Sequence, residues 1–287
     1  MSFLDRVAGA PISWGVCEAP GWGMQLSVDR VLGEARDLGL TAFEQGSLGW
    51  LPDDPTALKA KLDEYGMTLV AGFVPLVLHD PAQSSEMLEL GDRIAANLAA
   101  AGGRCYNTSP VGDLDGWGRP EMDDRSWAEL FANIDRLDDI CASHGLVQTV
   151  HSHVDTLIEL ADEIARFFDS CGAKVCLDTG HATIGGADPV QIATDQFDRI
   201  GLVHLKDVDA DAAARQRSGE LDLMQATQAG LFPSLGDGMV RVAEVVEVME
   251  AKGYDGWYVM ETDVALSDGE PAPGEGPVRG VERSLEF

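Results

Sequence analysis

Eight short apolar, β-branched runs punctuate this chain, and they alternate with seven longer stretches of helical periodicity. That alternation restricts it to architectures in which crossover helices join parallel strands. Strands are predicted at 10–16, 40–44, 67–73, 104–108, 146–153, 174–178, 200–206 and 256–262. Helices are predicted near 27–38, 55–65, 84–101, 124–143, 155–169, 189–195 and 239–252. Ser27, Asp53 before Pro55, Asp123, and Asp188 before Pro189 supply N-caps. Gly39, Gly66, Gly102, Gly145, Gly172 and Gly253 each close a helical run.

Eight such units in 287 residues predict one α/β domain, a (β/α)8 or TIM barrel, for which about 250 residues is typical. A doubly wound sheet is the runner-up, but no GxGxxG follows the first strand and no GK[ST] phosphate loop occurs. The barrel is expected over 1–287, with an insertion at 207–238 after the seventh strand. A Gly-, Pro- and charge-rich loop or tail is expected at 264–287.

With 45% hydrophobic and 24% charged residues, the chain falls among globular proteins rather than disordered or fibrous ones. No run approaches the roughly 18 apolar residues of a membrane span, and Asp5 and Arg6 stand where a signal peptide needs an apolar core. The expectation is a cytoplasmic protein. A balance of 49 acidic against 20 basic residues, net -29, repels polyanions and argues against nucleic acid as a partner. The five cysteines form no CxxC pair and read as reduced, mostly buried thiols.

In a parallel barrel the active site lies at the carboxyl ends of the strands, so the residues ending the apolar runs are the candidates. These are Glu44, His151 with His153, Asp178 with His181 just beyond, His204 with Lys206, and Glu261. A lone aspartate there can simply order a turn. Carboxylates and imidazoles ending four successive strands need a shared counter-charge, and a divalent ion supplies one. The metal-ligand set read in this way is His151, Asp178, His204 and Glu261. Its mixed N/O chemistry suits Mn²⁺, Co²⁺, Fe²⁺ or Zn²⁺ better than Ca²⁺. Glu44 is open between a substrate contact and a structural partner, His79 is open too, and Trp14 belongs either to the core or to the pocket wall.

LDTGH at 177–181, VHLKD at 203–207 and GWYVMETD at 256–263, with APISWG at 10–15 and FEQGSLGWLP at 43–52, resemble the xylose-isomerase-like barrels of the sugar-phosphate isomerase/epimerase superfamily. Within it, the resemblance is to the inosose (2-keto-myo-inositol) dehydratase branch, and it covers almost the whole chain. It implies a metal held by residues of strands five to eight, matching His151, Asp178, His204 and Glu261. At strand five a His-x-His replaces the superfamily's Glu, and His153 is the substitute for His151. It also implies that His181 lies near substrate oxygens and that Lys206 donates to a ketone or a leaving hydroxyl.

The expected activity is a divalent-metal-dependent dehydratase, a carbon–oxygen lyase of inositol catabolism, acting on a keto-inositol or related keto-sugar through an enediolate. Glu261 is ligand and candidate base, His181 and Lys206 are polarising or acid groups, and Glu44, His153 and Trp14 are substrate contacts. A ketose 3-epimerase or sugar isomerase on the same metal is the alternative enzyme. A metal-dependent DNA endonuclease is opposed by the charge, and a non-catalytic sugar-binding barrel has no need of a Lewis acid. The partners expected are a sugar or cyclitol and, as an open option, further copies of the chain; neither nucleic acid nor membrane is expected.

Overall fold

A computed structural model describes residues 3–19, 21–267 and 269–287. Its strands are β1 (Val7–Gly9), β2 (Ala42–Phe43), β3 (Thr68–Leu69), β4 (Ala71–Leu76), β5 (Cys105–Pro110), β6 (Val147–His151), β7 (Lys174–Asp178), β8 (Ile200–Leu205) and β9 (Tyr258–Met260). All pair in parallel, in the order β3-β2-β1-β9-β8-β7-β6-β5-β4. The two ends of that order are consecutive in the chain. β3 pairs with β2 and β4 with β5, and Val70 between them donates to Phe43 O and accepts from Arg104 and Cys105. One broken stave thus closes the barrel, and the nine strands make eight staves around a filled interior. The predicted TIM barrel is the observed fold.

The crossover helices form where caps and amphipathic periods coincide. Helices α1 (Val28–Asp37), α2 (Pro55–Glu64), α3 (Ser84–Ala100) and α4 (Asp124–Ser143) match the prediction closely, as does α7 (Pro189–Asp195). Ser27, Asp123 and Asp188 accept backbone N–H bonds as N-caps. For α2 the cap is Asp54, not Asp53, because Asp54 reaches the Ala57 N–H. Gly172 ends no helix in the left-handed conformation that Gly39, Gly66, Gly102, Gly145 and Gly253 adopt; α5 (Ala161–Ser170) is capped by an extended Cys171 instead.

Several other boundaries differ from the sequence reading. The first strand is Val7–Gly9 rather than 10–16, because Pro11 has no N–H for a ladder and residues Pro11–Trp14 wind into a 3-10 turn closed by left-handed Gly15. Helix α5 begins at Ala161, not 155: Asp155 has φ 65° and the Thr156 hydroxyl donates to His153 O, which makes a turn there. The 207–238 insertion contains α8 (Ala210–Arg217) and α9 (Leu223–Gln228), and α10 (Val242–Ala251) follows it. The expected loop at 264–287 is corrected too: its last part is α11 (Pro277–Glu286), which buries Val278 and Val281. That short period of apolar residues is masked by the glycines, prolines and charges around it.

Among the described residues no helix is long and apolar enough to cross a membrane. All five cysteines are free, and only Cys17 is not fully buried.

Candidate active site

Parallel staves bring every strand's carboxyl end to one face, and the tails carry the charged residues there. Glu44 follows β2, His151 and Asp178 end β6 and β7, His204 lies near the end of β8, Lys206 follows it, and Glu261 and Asp263 follow β9. Register sets neighbours: Asp178 pairs with His204, and His204 with Val259. Exposure is 0% for Asp178, 1% for His181, His204 and Lys206, 2% for His151, 3% for Glu44 and 5% for Glu261. Charges at that depth persist only where partners compensate them.

Lys206 is the hub. Its Nζ lies 2.8 Å from Glu261 Oε2, 3.0 Å from Asp263 Oδ2, 3.4 Å from Asp178 Oδ2 and 3.0 Å from His181 Nε2, with the Phe232 ring centre 5.0 Å away. A methyl group at Gly180 would stand 2.7 Å from Lys206 Cγ, so glycine is what lets the lysine stem pass. Burial alone would depress the ammonium, but Asp178, Asp263 and Glu261 outweigh it and hold Lys206 well above its ordinary range, fully protonated. Burial keeps the His181 imidazole neutral, helped by His153 and Lys206.

His204 joins the two sides of the site. Its Nε2 is 3.1 Å from Glu44 Oε1, and its Nδ1 is 3.1 Å from Glu261 Oε2 and 3.9 Å from Asp178 Oδ2. His151 Nε2 faces Asp178 Oδ2 at 3.4 Å. Asp178 also acts as N-cap of the short helix α6 (Thr179–Ile184), its Oδ1 accepting the His181 N–H at 2.7 Å. His153 lies past the strand end, its Nδ1–H donating to Val154 O at 2.7 Å and its ring 3.7 Å from that of His181. Burial and the neighbouring His151 and Lys206 lower its pKa to about 3.

These residues surround a cavity of about 310 Å³, the small end of the ~300–1,000 Å³ range of ligand sites. His151, His153, Glu44, Lys206 and Glu261 line it. Asp178, His204 and His181 stand behind them, in contact with the lining groups. Trp14 is not at the cavity: the 3-10 turn sends its ring into the core against Phe43, with Nε1 donating to Glu34 Oε2 at 3.0 Å. Sequence reasoning passed over Asp263, although it closes the GWYVMETD string, and Cys176, which reads as an ordinary core thiol. It also missed Glu18, Trp117 and Phe232, whose loops carry no periodic signal. Among the described residues, seven that line the cavity are acidic, namely Glu18, Glu44, Asp115, Asp155, Asp222, Glu261 and Asp263, against Lys206 as the one lysine or arginine.

The donor set fits a divalent ion. Donor atoms of Glu44, His204 and Glu261 lie within 4.8 Å of one another, as do those of His151, Cys176 and His204. The buried Nδ1 of His151 makes no hydrogen bond among the described residues, although a buried imidazole nitrogen ordinarily has a partner, and that of His204 faces the Glu261 carboxylate at 3.1 Å.

A barrel with this strand-tail constellation defines a class, and the chain belongs to it: the model of the xylose isomerase-like TIM barrel family matches residues 32–286. It is 32% identical over 270 residues to an inosose dehydratase of Geobacillus kaustophilus (strain HTA426), covering 90% of this chain and 87% of that one. It is 30% identical over 275 residues to the rhizopine catabolism protein MocC of Rhizobium meliloti, covering 93% and 84%. Its fold is similar to that of the IOLI protein with a bound zinc atom, with a TM-score of 0.71 at 11% identity over 98% of this chain and 95% of that one. Family and relatives make the chain an enzyme.

Proposed function

We propose that the chain is a divalent-metal-dependent dehydratase acting on an inosose or a closely related keto-sugar, with His151, Asp178, His204 and Glu261 holding the ion. One observation carries this reading above the others: a fully buried, protonated Lys206 stands 2.8 Å from Glu261 at the cavity wall. Elimination needs a base and a proton donor side by side, whereas epimerisation expels nothing. Relatives named inosose dehydratase support the same reading.

A bound ion would supply Lewis-acid polarisation of the ketone. Glu261 then takes the proton from the carbon next to the carbonyl. Lys206, on the cavity wall with His181 behind it, delivers a proton to the β-hydroxyl, which leaves as water as the enediolate collapses to an unsaturated ketone, and Glu261, 2.8 Å from Lys206, returns to it the proton taken from carbon. Glu44 and His153, both on the cavity lining, orient ring hydroxyls. The excess of lining carboxylates selects a ring without phosphate, since a phosphate dianion would meet seven acids and one lysine. Free thiols throughout suit a reducing, cytoplasmic setting.

The test is incubation of the purified enzyme with 2-keto-myo-inositol and Mn²⁺ or Co²⁺. The expected result is an ultraviolet-absorbing unsaturated or diketone product. Solvent deuterium entering next to the carbonyl without loss of water, together with interconversion of two ketoses, would transfer the assignment to a 3-epimerase.

A further inference from the structure

Cys176 has no part in the proposed reaction, yet it stands among its residues. It lies on β7 two positions before Asp178, so both side chains face the barrel interior. Register pairs it with His151 on the neighbouring strand. Its Sγ and one ring nitrogen each of His151 and His204 all lie within 4.8 Å of one another, and the three side chains are 0%, 2% and 1% exposed. The Nδ1 of His151 is buried without a hydrogen bond among the described residues, and that of His204 faces the Glu261 carboxylate at 3.1 Å. Glu44 and Glu261 line the cavity, whereas Cys176 packs further in, with Ala8, Ala42, Ala71 and Val259. His204 therefore belongs to two donor sets at once, an oxygen-rich one at the cavity and a sulfur-containing one a layer deeper.

We propose that His151, Cys176 and His204 form a soft-metal site that takes thiophilic divalent ions such as Zn²⁺, Cd²⁺ or Co²⁺, while Mn²⁺ stays with the carboxylates of the cavity. Thiolate and imidazole donors select zinc-like ions, and carboxylates select manganese-like ones. Because His151 and His204 also belong to the set proposed to hold the catalytic ion, the chemistry of the ion decides which set holds it. Ligation exchanges the Cys176 proton for the metal: the S–H bond breaks, a metal–sulfur bond forms, and the proton goes to solvent.

The inference concerns the ion and not the substrate, and its readouts use no substrate, so it stands or falls apart from the dehydratase reading. Metal-free enzyme is titrated with Co²⁺ and followed in the near ultraviolet for sulfur-to-cobalt charge transfer. The expected result is a band that saturates at one ion per chain and is missing in Cys176→Ser. The same substitution should weaken Cd²⁺ binding by about a hundredfold or more, beyond the usual loss for an outer-shell change, and leave Mn²⁺ binding, measured by paramagnetic resonance of the free ion, unaltered. Cobalt bound without the band, a band that survives in Cys176→Ser, or equal losses of Cd²⁺ and Mn²⁺ affinity would each overturn the proposal. Where Cys176→Ser fails to fold, cadmium-113 resonance of the wild-type enzyme decides: a shift characteristic of sulfur ligation upholds the site, and one characteristic of only oxygen and nitrogen removes it.

Discussion

Replacing Lys206 by methionine removes one ammonium from among three buried carboxylates, Glu261, Asp263 and Asp178, at 2.8, 3.0 and 3.4 Å. At an effective dielectric of about 20, a contact at this range is worth about 5 kcal/mol of Coulomb attraction. The lost hydration of the buried ions offsets most of it. Removing one partner of a buried pair typically costs about 3–5 kcal/mol, because the remaining charge is stranded. Here burial and the adjacent Glu261 already raise Asp263 to about 7, so it can relieve part of the strain by keeping its proton. The expected loss of stability in chelator is therefore about 3 kcal/mol, a fall in Tm of roughly 5 °C for a domain of this size. A divalent ion supplies the missing positive charge, so saturating Mn²⁺ should restore most of the loss, and the variant should bind Mn²⁺ more tightly than wild type. Turnover should stay down by about a hundredfold or more even in the folded, Mn²⁺-saturated variant, the scale of one lost acid or electrostatic group. Thermal unfolding in chelator and in Mn²⁺, with product absorbance from 2-keto-myo-inositol, measures all three. A variant as stable as wild type without metal would refute the electrostatic argument, and full turnover with metal would remove Lys206 from the chemistry.

Asp263 Oδ1 is buried without a hydrogen-bond partner while Oδ2 holds Lys206, so it is placed to accept from a substrate hydroxyl. Asp263→Asn should raise KM about tenfold or more with a smaller change in kcat, and an unchanged KM would exclude that contact. Burial raises the pKa of Glu18 to about 7, aided by Glu261 and Glu44, so the folded state holds a proton there that the unfolded chain releases near 4.5. Stability should fall as pH rises through that window, and Glu18→Gln should remove the fall, by about 1 kcal/mol or more at pH 8 and by nothing at pH 4; parallel urea titration curves of the two proteins at both pH values would refute it. Asp207 accepts the N–H groups of Val208, Gly236, Gly238 and Val240. Asp207→Ala should cost about 3 kcal/mol or more by orphaning those donors; hydrogen exchange at 236–240 that stays as slow as in wild type would show that the clasp is unimportant.

Particular residues show where the sequence is legible and where it stops. Strand alternation with crossover helices admits few topologies, and a parallel barrel sends every strand tail to one face. Glu44, His151, Asp178, His204, Lys206 and Glu261 could therefore be read as neighbours from residues 40 to 261 without a structure. The caps at Ser27, Asp123 and Asp188 were legible because their partners lie two or three residues away. Trp14 was not, since its direction depends on a 3-10 turn that Pro11 and Gly15 impose on an apolar string. The helix at the end was hidden because its apolar face is defined by what it covers, not by its composition. The closure of the barrel at Val70, the packing of Phe232 on Lys206, and the meeting of Cys176 with His151 and His204 rest on contacts between segments far apart in the chain. Local periodicity determines which element forms and which way its ends face. Register and the stacking of side chains inside the barrel are fixed only when all eight staves close, because each depends on the volume and charge of partners that the local sequence does not contain.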